Sequence, residues 1–275
     1  MVGNGANAGN LSPISAVGVI VQTLMTRVGL GGHEWEVWAA NFTAHALVSV
    51  GAWVLFGGPR LFRAPRVDLT TGRDPLTRMH HITLLVLAAW IAAVVVAKAN
   101  PGLSAFAATA FLVVTRQADD ARMITTVPWA VVVMVCGVSV LIGVLEKTGG
   151  MDVFTTMLAR IATPRSVNGT IAFVTGLIST YSSTSGVVYP AFIPAAPGLV
   201  AKLGGGDPLQ VAMSINVGAA LVDVSPLSTI GALCIAALPA GDDPKALFRK
   251  LLIWGLSMSV VGAIFCQLFI GFFAR

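Results

Sequence analysis

Asp223-Val-Ser-Pro-Leu-Ser-Thr-Ile-Gly231 interrupts an otherwise apolar segment that runs from about Val211 to Leu238. Near the N-terminus, Asn10-Leu-Ser-Pro-Ile-Ser-Ala-Val-Gly18 keeps the Ser-Pro pair, the second Ser and the Gly at the same relative positions. A short polar motif that recurs once in each half of a hydrophobic chain is the mark of a transporter built from two repeats, whose sites lie at broken helices. Ser12 and Ser225 each fit an N-cap, and Pro13 and Pro226 the first helical position, where a missing N–H costs nothing. Half-helices are therefore expected from Pro13 to about Thr26 and again from Pro226 onward.

Composition sets the solvent. The 275 residues are 56% hydrophobic and 11% charged, with a mean hydropathy of +0.84, far from the balance of a soluble domain. Several apolar runs approach the roughly 20 residues needed to cross ~30 Å of hydrocarbon. Ile82–Ala97 and Ala130–Leu145 do not alternate as barrel strands would, so the expected fold is an all-α polytopic membrane protein. The net charge of +5 comes from bases gathered in loops; these act as topology signals and headgroup contacts, and no nucleic-acid partner is expected. Cys136, Cys234 and Cys266 stand singly inside apolar segments, without metal-ligand or redox spacing.

Residues 1–57 read as the end of a first repeat: a Gly- and Asn-rich start, the half-helix, and a span from about Glu34 to Leu55 with Trp35, Trp38 and Trp53 as interfacial anchors. Residues 58–81, carrying five arginines, form the inter-repeat loop, placed in the cytoplasm by the positive-inside rule. Residues 82–275 form the second repeat. It begins with helices at about Ile82–Lys98, Leu103–Thr115 and Val127–Leu145. An amphipathic interfacial helix is expected between Glu146 and Arg165. Residues Val167–Leu203 are broken at their centre by Ser179-Thr-Tyr-Ser-Ser-Thr-Ser-Gly186, the pattern of a re-entrant hairpin with a polar tip. The broken helix and a last span over Leu247–Phe273 follow, which puts the C-terminus outside. Met1-Val-Gly-Asn-Gly-Ala-Asn has neither a basic nor an apolar leader region, so the start reads as internal to a longer product.

Hydroxyls at the tip and at the break lie near the expected bilayer centre. Half-helix N-termini there present N–H groups to an anion, and unwound carbonyls and hydroxyls offer hard oxygen ligands to sodium. Asp223 is the one acidic residue deep in an apolar segment, read either as a cation ligand or proton carrier, or as a carboxylate that caps backbone N–H groups. Asn168 and Asn216 are read as interhelical hydrogen bonders. His80 and His81 flank a span and point to an interfacial role. No G-x-S-x-G elbow, H-E-x-x-H, aspartate pair or P-loop occurs, so no enzymatic chemistry is expected.

Tyr181-Ser-Ser-Thr-Ser-Gly-Val-Val-Tyr-Pro190, followed by Val222-Asp-Val-Ser-Pro-Leu-Ser-Thr-Ile-Gly-Ala232, resembles the ion-transporter superfamily that includes the divalent anion:sodium symporters, and within it the MatC-type dicarboxylate carriers. The resemblance implies an inverted-repeat transporter with re-entrant hairpins and broken helices. It assigns Ser182, Ser183 and Thr184 to the second hairpin tip. Ser225, Pro226, Ser228 and Thr229 go to the second break, and Asn10, Ser12 and Pro13 to the first, all toward substrate. Ser183, Asp223, Ser225 and Ser15 are assigned toward a sodium ion. Ser183 stands where the symporters usually carry Asn. The implied function is secondary transport of malonate, malate or succinate in a bacterial inner membrane, coupled to sodium or protons, with no other cofactor and with a scaffold able to form a homodimer. An ion/proton exchanger or metalloid permease on the same fold, and a non-transporting fragment, are the alternatives. The first repeat is incomplete in this reading, with its scaffold helices and hairpin expected upstream of Met1 or on a partner chain.

Overall fold

The computed structural model describes residues 2–63, 75–116, 129–236, 238 and 243–274. Helices account for nearly all the regular structure, and no strand occurs among the described residues. Among the described residues, four helical stretches are long and apolar enough to cross a membrane: Glu34–Leu55, Arg78–Val95, Thr184–Leu203 and Pro244–Phe273. The chain divides into two compact units, one made of residues 1–56 and 130–275, the other of residues 57–129.

The smaller unit contains a 3-10 turn over Gly58–Arg63, then α4 (Arg78–Val95) and α5 (Pro101–Val114). Helix α4 begins four residues earlier than its apolar run suggests. Thr77 and His80 form a reciprocal capping box that satisfies two N–H groups of the first turn. His80 is thus a capping residue, and His81 turns its Nδ1 to the Thr77 carbonyl at 2.9 Å. Asn100 caps α5 with Pro101 behind it, and Trp90 on α4 donates to Ser104 on α5 at 3.1 Å.

The larger unit opens with α1 (Val2–Ala8), α2 (Ala16–Arg27) and α3 (Glu34–Leu55). It continues from Ala130 with α6 (Trp129–Lys147), whose first residue belongs to the smaller unit, and the short amphipathic α7 (Gly150–Ala159). Val153, Met157 and Ile161 are exposed along α7 and its end, while Thr155 and Leu158 are buried. Next come α8 (Val167–Ser179), the tip, and a second arm that ends in α9 (Ala196–Leu203). That arm is bent: a π-helical turn (Thr184–Val188), a single α-turn and a 3-10 turn precede α9. Pro190, Pro194 and Pro197 each remove a backbone donor there, which accounts for the irregular path. Helices α10 (Pro208–Ala220), α11 (Thr229–Ala236) and α12 (Pro244–Phe273) complete the chain. Asp207 and Asp243 cap α10 and α12 ahead of prolines at the first helical position, accepting from Leu209 and Lys245 at 2.9 Å each.

Helix α8 packs along both α10 and α12, while α3 packs on α1 and reaches α10 and α12 as well. The buried apolar core runs through these contacts, with Ile171, Ala172, Met213, Ile215, Val217, Leu221, Cys266 and Ile270 at its centre. The polar entry to the hairpin is fastened on three sides. Asn168 donates to Gln210 at 3.0 Å, Gln267 donates to the Arg165 carbonyl at 2.8 Å and accepts from the Gly169 N–H at 3.0 Å. Asn168 is the interhelical bonder its position suggests. Across the bend, Lys202 of α9 meets the Asp152 carboxylate of α7 at 2.6 Å, and Phe154 stands edge-on to Phe192.

Candidate functional site

The helix starts differ from the sequence expectation, and both differ in the same way. Helix α2 begins at Ala16 with Ser15 as its N-cap, and α11 begins at Thr229 with Ser228 in the equivalent place. Ser12 and Ser225 are instead the first residues of tight turns, with Ser12 accepting from Ser15 N–H and Ser225 from Ser228 N–H. Proline in each turn sits where its fixed φ is favoured and its absent N–H is not needed. The serine three residues on then takes the cap, because its hydroxyl reaches both the turn and the new helix.

The two breaks are bonded alike, atom for atom. Ser15 Oγ donates toward the Asn10 and Ser12 carbonyls and accepts from Gly18 N–H at 2.9 Å. Ser228 Oγ donates toward the Asp223 and Ser225 carbonyls and accepts from Gly231 N–H at 3.4 Å. Each glycine is required by a close approach: a Cβ at Gly18 would lie 2.0 Å from the Ser12 carbonyl oxygen, and one at Gly231 1.8 Å from that of Ser225. The breaks also touch across the molecule, where Asn7 Nδ2 reaches the Ala220 carbonyl at 3.4 Å.

The hairpin tip is tied to the second break. Thr184 Oγ1 donates to Asp223 Oδ1, and Ser179 Oγ bridges Thr184 Oγ1 and the Ala219 carbonyl. Ser225 Oγ donates to the Thr180 carbonyl at 3.1 Å. Ser183 caps the π-helical turn by accepting from Gly186 N–H at 3.1 Å, and Ser182 bonds back to the Ile178 carbonyl at 2.9 Å.

A cavity of about 410 Å³ opens between the tip and the two breaks. Asn10, Ser182, Ser183, Thr184, Asp223 and Ser228 line it, together with Asn7, Val17, Tyr181, Ser185, Leu227 and Ile230. Asn10 and Asp223 hold the same motif position, as do Val17 and Ile230, so both breaks face this space with equivalent residues. Val17 and Ile230 bring the first turns of α2 and α11 to its wall. Ser12, Pro13, Ser15, Ser225 and Pro226 are not on its wall; they shape the breaks from behind. The Thr229 side chain lies outside the described residues. Asn216 is buried elsewhere, with its amide nitrogen on Met25 Sδ at 3.7 Å.

Sequence reasoning passed over Asn7 and Ser179. Asn7 shares a helical face with Asn4, both buried, a spacing legible within the Gly- and Asn-rich start. Ser179 opens the hydroxyl-rich tip, but nothing local distinguishes it from a helix-capping serine. Among the described residues no group of three or more His, Cys, Asp or Glu is placed to hold a metal ion.

Helix breaks around a polar cavity, inside a chain of apolar helices, are the architecture of a carrier. A model of the citrate transporter family matches residues 1–218. The chain belongs to the citrate transporter family. As a citrate transporter family member it is a multi-pass membrane transporter of the carboxylate/anion kind and not an enzyme. The match spans the first break, the amphipathic α7 and the whole hairpin. No curated protein and no solved structure gives a match.

Proposed function

We propose that this citrate transporter family member is a secondary carrier of small di- and tricarboxylates, coupled to sodium or protons, with the cavity between tip and breaks as its substrate site. The observation that carries the reading is the wall of that cavity. The Ser183 hydroxyl, which accepts from Gly186 N–H and keeps its own hydrogen, the second amide hydrogen of Asn7 and the Asn10 amide offer donors to an anion beside the Asp223 carboxylate, while the Ser182 and Thr184 hydroxyls already donate to the Ile178 carbonyl and to Asp223. An anionic substrate next to an unneutralised Asp223 is repelled, at ~4 kcal/mol for charges 4 Å apart where the effective dielectric is 20. A cation or proton held at Asp223 removes that repulsion, so substrate and coupling ion bind together. This supports symport and gives Asp223 the role of ion ligand or proton carrier rather than of a backbone cap, because the Thr184 hydroxyl, not an N–H, donates to it. Among the described residues no other acidic residue lines the cavity.

The test is uptake into proteoliposomes of labelled citrate, malate, succinate and malonate, under an imposed sodium or proton gradient. Gradient-driven accumulation of at least one of them is expected. In Asp223→Asn, uptake down a substrate gradient is expected to persist while the response to the cation gradient is lost. Absence of carboxylate flux under both gradients rejects the reading. Proton movement without carboxylate would favour the exchanger on the same fold.

A further inference from the structure

Helices α4 and α5 of the smaller unit form a hairpin whose two ends differ. At the Asn100 turn they are fastened, where Trp90 donates to the Ser104 hydroxyl at 3.1 Å. At the other end, where α4 starts and α5 stops, a cavity of about 370 Å³ lies between them. Ile82, Leu85 and Val86 of α4 and Phe111 of α5 give it an apolar wall, and Arg78 and His81 stand on the same wall. Residues three to four apart share a helix face, so along one stripe of α4 the charge comes first and the apolar surface follows. Leu85 is 71% and Phe111 52% exposed, so the groove opens away from the protein. The 18 residues of α4 rise about 27 Å, close to the ~30 Å of hydrocarbon in a bilayer. Arg78, at the first position, therefore stands where acyl chains give way to headgroups.

Charge at that boundary is of one sign. The opening Arg78-Met-His-His81 contains no acidic residue, and among the described residues Arg78 meets no carboxylate. His81 Nδ1 donates to the Thr77 carbonyl at 2.9 Å, which commits that nitrogen and leaves Nε2 as the second polar atom of the groove mouth. A guanidinium fork matches two oxygens of a phosphate. A free phosphate would leave the apolar wall uncovered, and a zwitterionic headgroup would bring a cation against Arg78. We propose that this groove binds an anionic phospholipid, with its phosphate on Arg78 and an acyl chain between Leu85 and Phe111. The chain fills space that α4 and α5 leave open, so the bound lipid holds their free ends together. No part of the cavity between tip and breaks is used, and lipid binding is measurable whether or not the carboxylate transport reading holds.

The test reconstitutes the full chain in phosphatidylcholine vesicles carrying a trace of phosphatidylglycerol with a photoactivatable group on one acyl chain. Cross-links mapped by peptide mass spectrometry are expected at Ile82, Leu85, Val86 and Phe111. Unlabelled phosphatidylglycerol is expected to displace them, while added phosphatidylcholine and inorganic phosphate are not. Arg78→Gln is expected to lower labelling at these positions by about fivefold, the scale of one basic residue at an anionic surface. Leu85→Trp fills the groove and keeps Arg78, and is expected to abolish labelling at Phe111. Hydrogen exchange gives a second readout: with phosphatidylglycerol in the vesicles, residues 78–86 are expected to exchange about fivefold more slowly than in phosphatidylcholine alone, and Arg78→Gln to remove the difference. Equal labelling by a photoactivatable phosphatidylcholine, or labelling indifferent to Arg78→Gln, makes the groove ordinary bilayer contact and overturns the proposal. Displacement by inorganic phosphate, or cross-links that join two copies of the chain through Phe111, names a different occupant and overturns it as well.

Discussion

Thr184 and Gly231 show how much depends on single atoms at the breaks. Thr184→Val keeps the shape of the tip and deletes the hydroxyl that meets Asp223. Leaving that carboxylate short of a donor costs about 1–3 kcal/mol, so the coupling-ion response of uptake is expected to weaken by at least about fivefold, read from the ion concentration giving half-maximal transport. Ser179→Ala acts one atom further out, through Thr184 and the Ala219 carbonyl, and a smaller shift in the same assay is expected. Gly231→Ala has a different consequence. A methyl group 1.8 Å from the Ser225 carbonyl oxygen cannot be housed without moving the turn. Overpacking of this kind costs about 3 kcal/mol or more, and the expected outcome is a lowered unfolding temperature of the purified protein, with Gly18→Ala behaving alike. The motif glycines were visible in the sequence, yet their reason was not. It lies in a serine that doubles back from the new helix to the turn, and that fold-back also displaced the helix caps from Ser12 and Ser225 to Ser15 and Ser228.

At the level of helices, the hydrophobic pattern and the punctuating prolines were enough to place α3, α5, α8, α10 and α12 to within a few residues. Asp207-Pro208, Asn100-Pro101 and Asp243-Pro244 each combine a capping side chain with a proline, a local signal that needs no tertiary information. The beginning of α4 was hidden because its first turn is Arg78-Met-His-His, polar in composition but helical through the Thr77–His80 box. The path of the second hairpin arm was hidden for the opposite reason: its prolines mark irregularity without saying where the chain goes. Close packing of α8 on α10 was not legible either. Gly218 places its α-carbon against the Ala172 backbone, where a Cβ would meet the carbonyl oxygen at 2.5 Å, and Gly176 lies against the Gly218 carbonyl in return. Small residues that let backbones approach are the main source of helix association in lipid. Gly218→Val is therefore expected to separate α8 from α10 and to raise hydrogen exchange at the tip by about tenfold or more, with the amphipathic α7 unaffected. Lys202→Met tests the other junction. A partly exposed ion pair contributes at most about 1 kcal/mol, so unfolding should change little while α7 exchanges faster.

Across the whole chain, the sequence carried the membrane class, the helical fold and the two breaks, and it singled out the residues that come together at the cavity: Asn10, the Ser182–Thr184 tip, Asp223 and Ser228. What it could not carry was which side of each break faces the space, since a motif read along the chain does not distinguish wall from support. The matched positions on the two breaks now allow a consequence to be drawn about the ligand. A cleft framed by like elements from opposite sides accepts an end-to-end symmetric molecule in two equivalent orientations. Here one side of the frame bears the neutral amide of Asn10 and the other the acid of Asp223, with Ser228 and the hairpin tip on the acid's side, and these differences remove the equivalence. A diacid such as succinate would then be held in one sense only, one carboxylate toward the ion and the other toward the amide, and its two ends, chemically identical in water, would become distinguishable once bound.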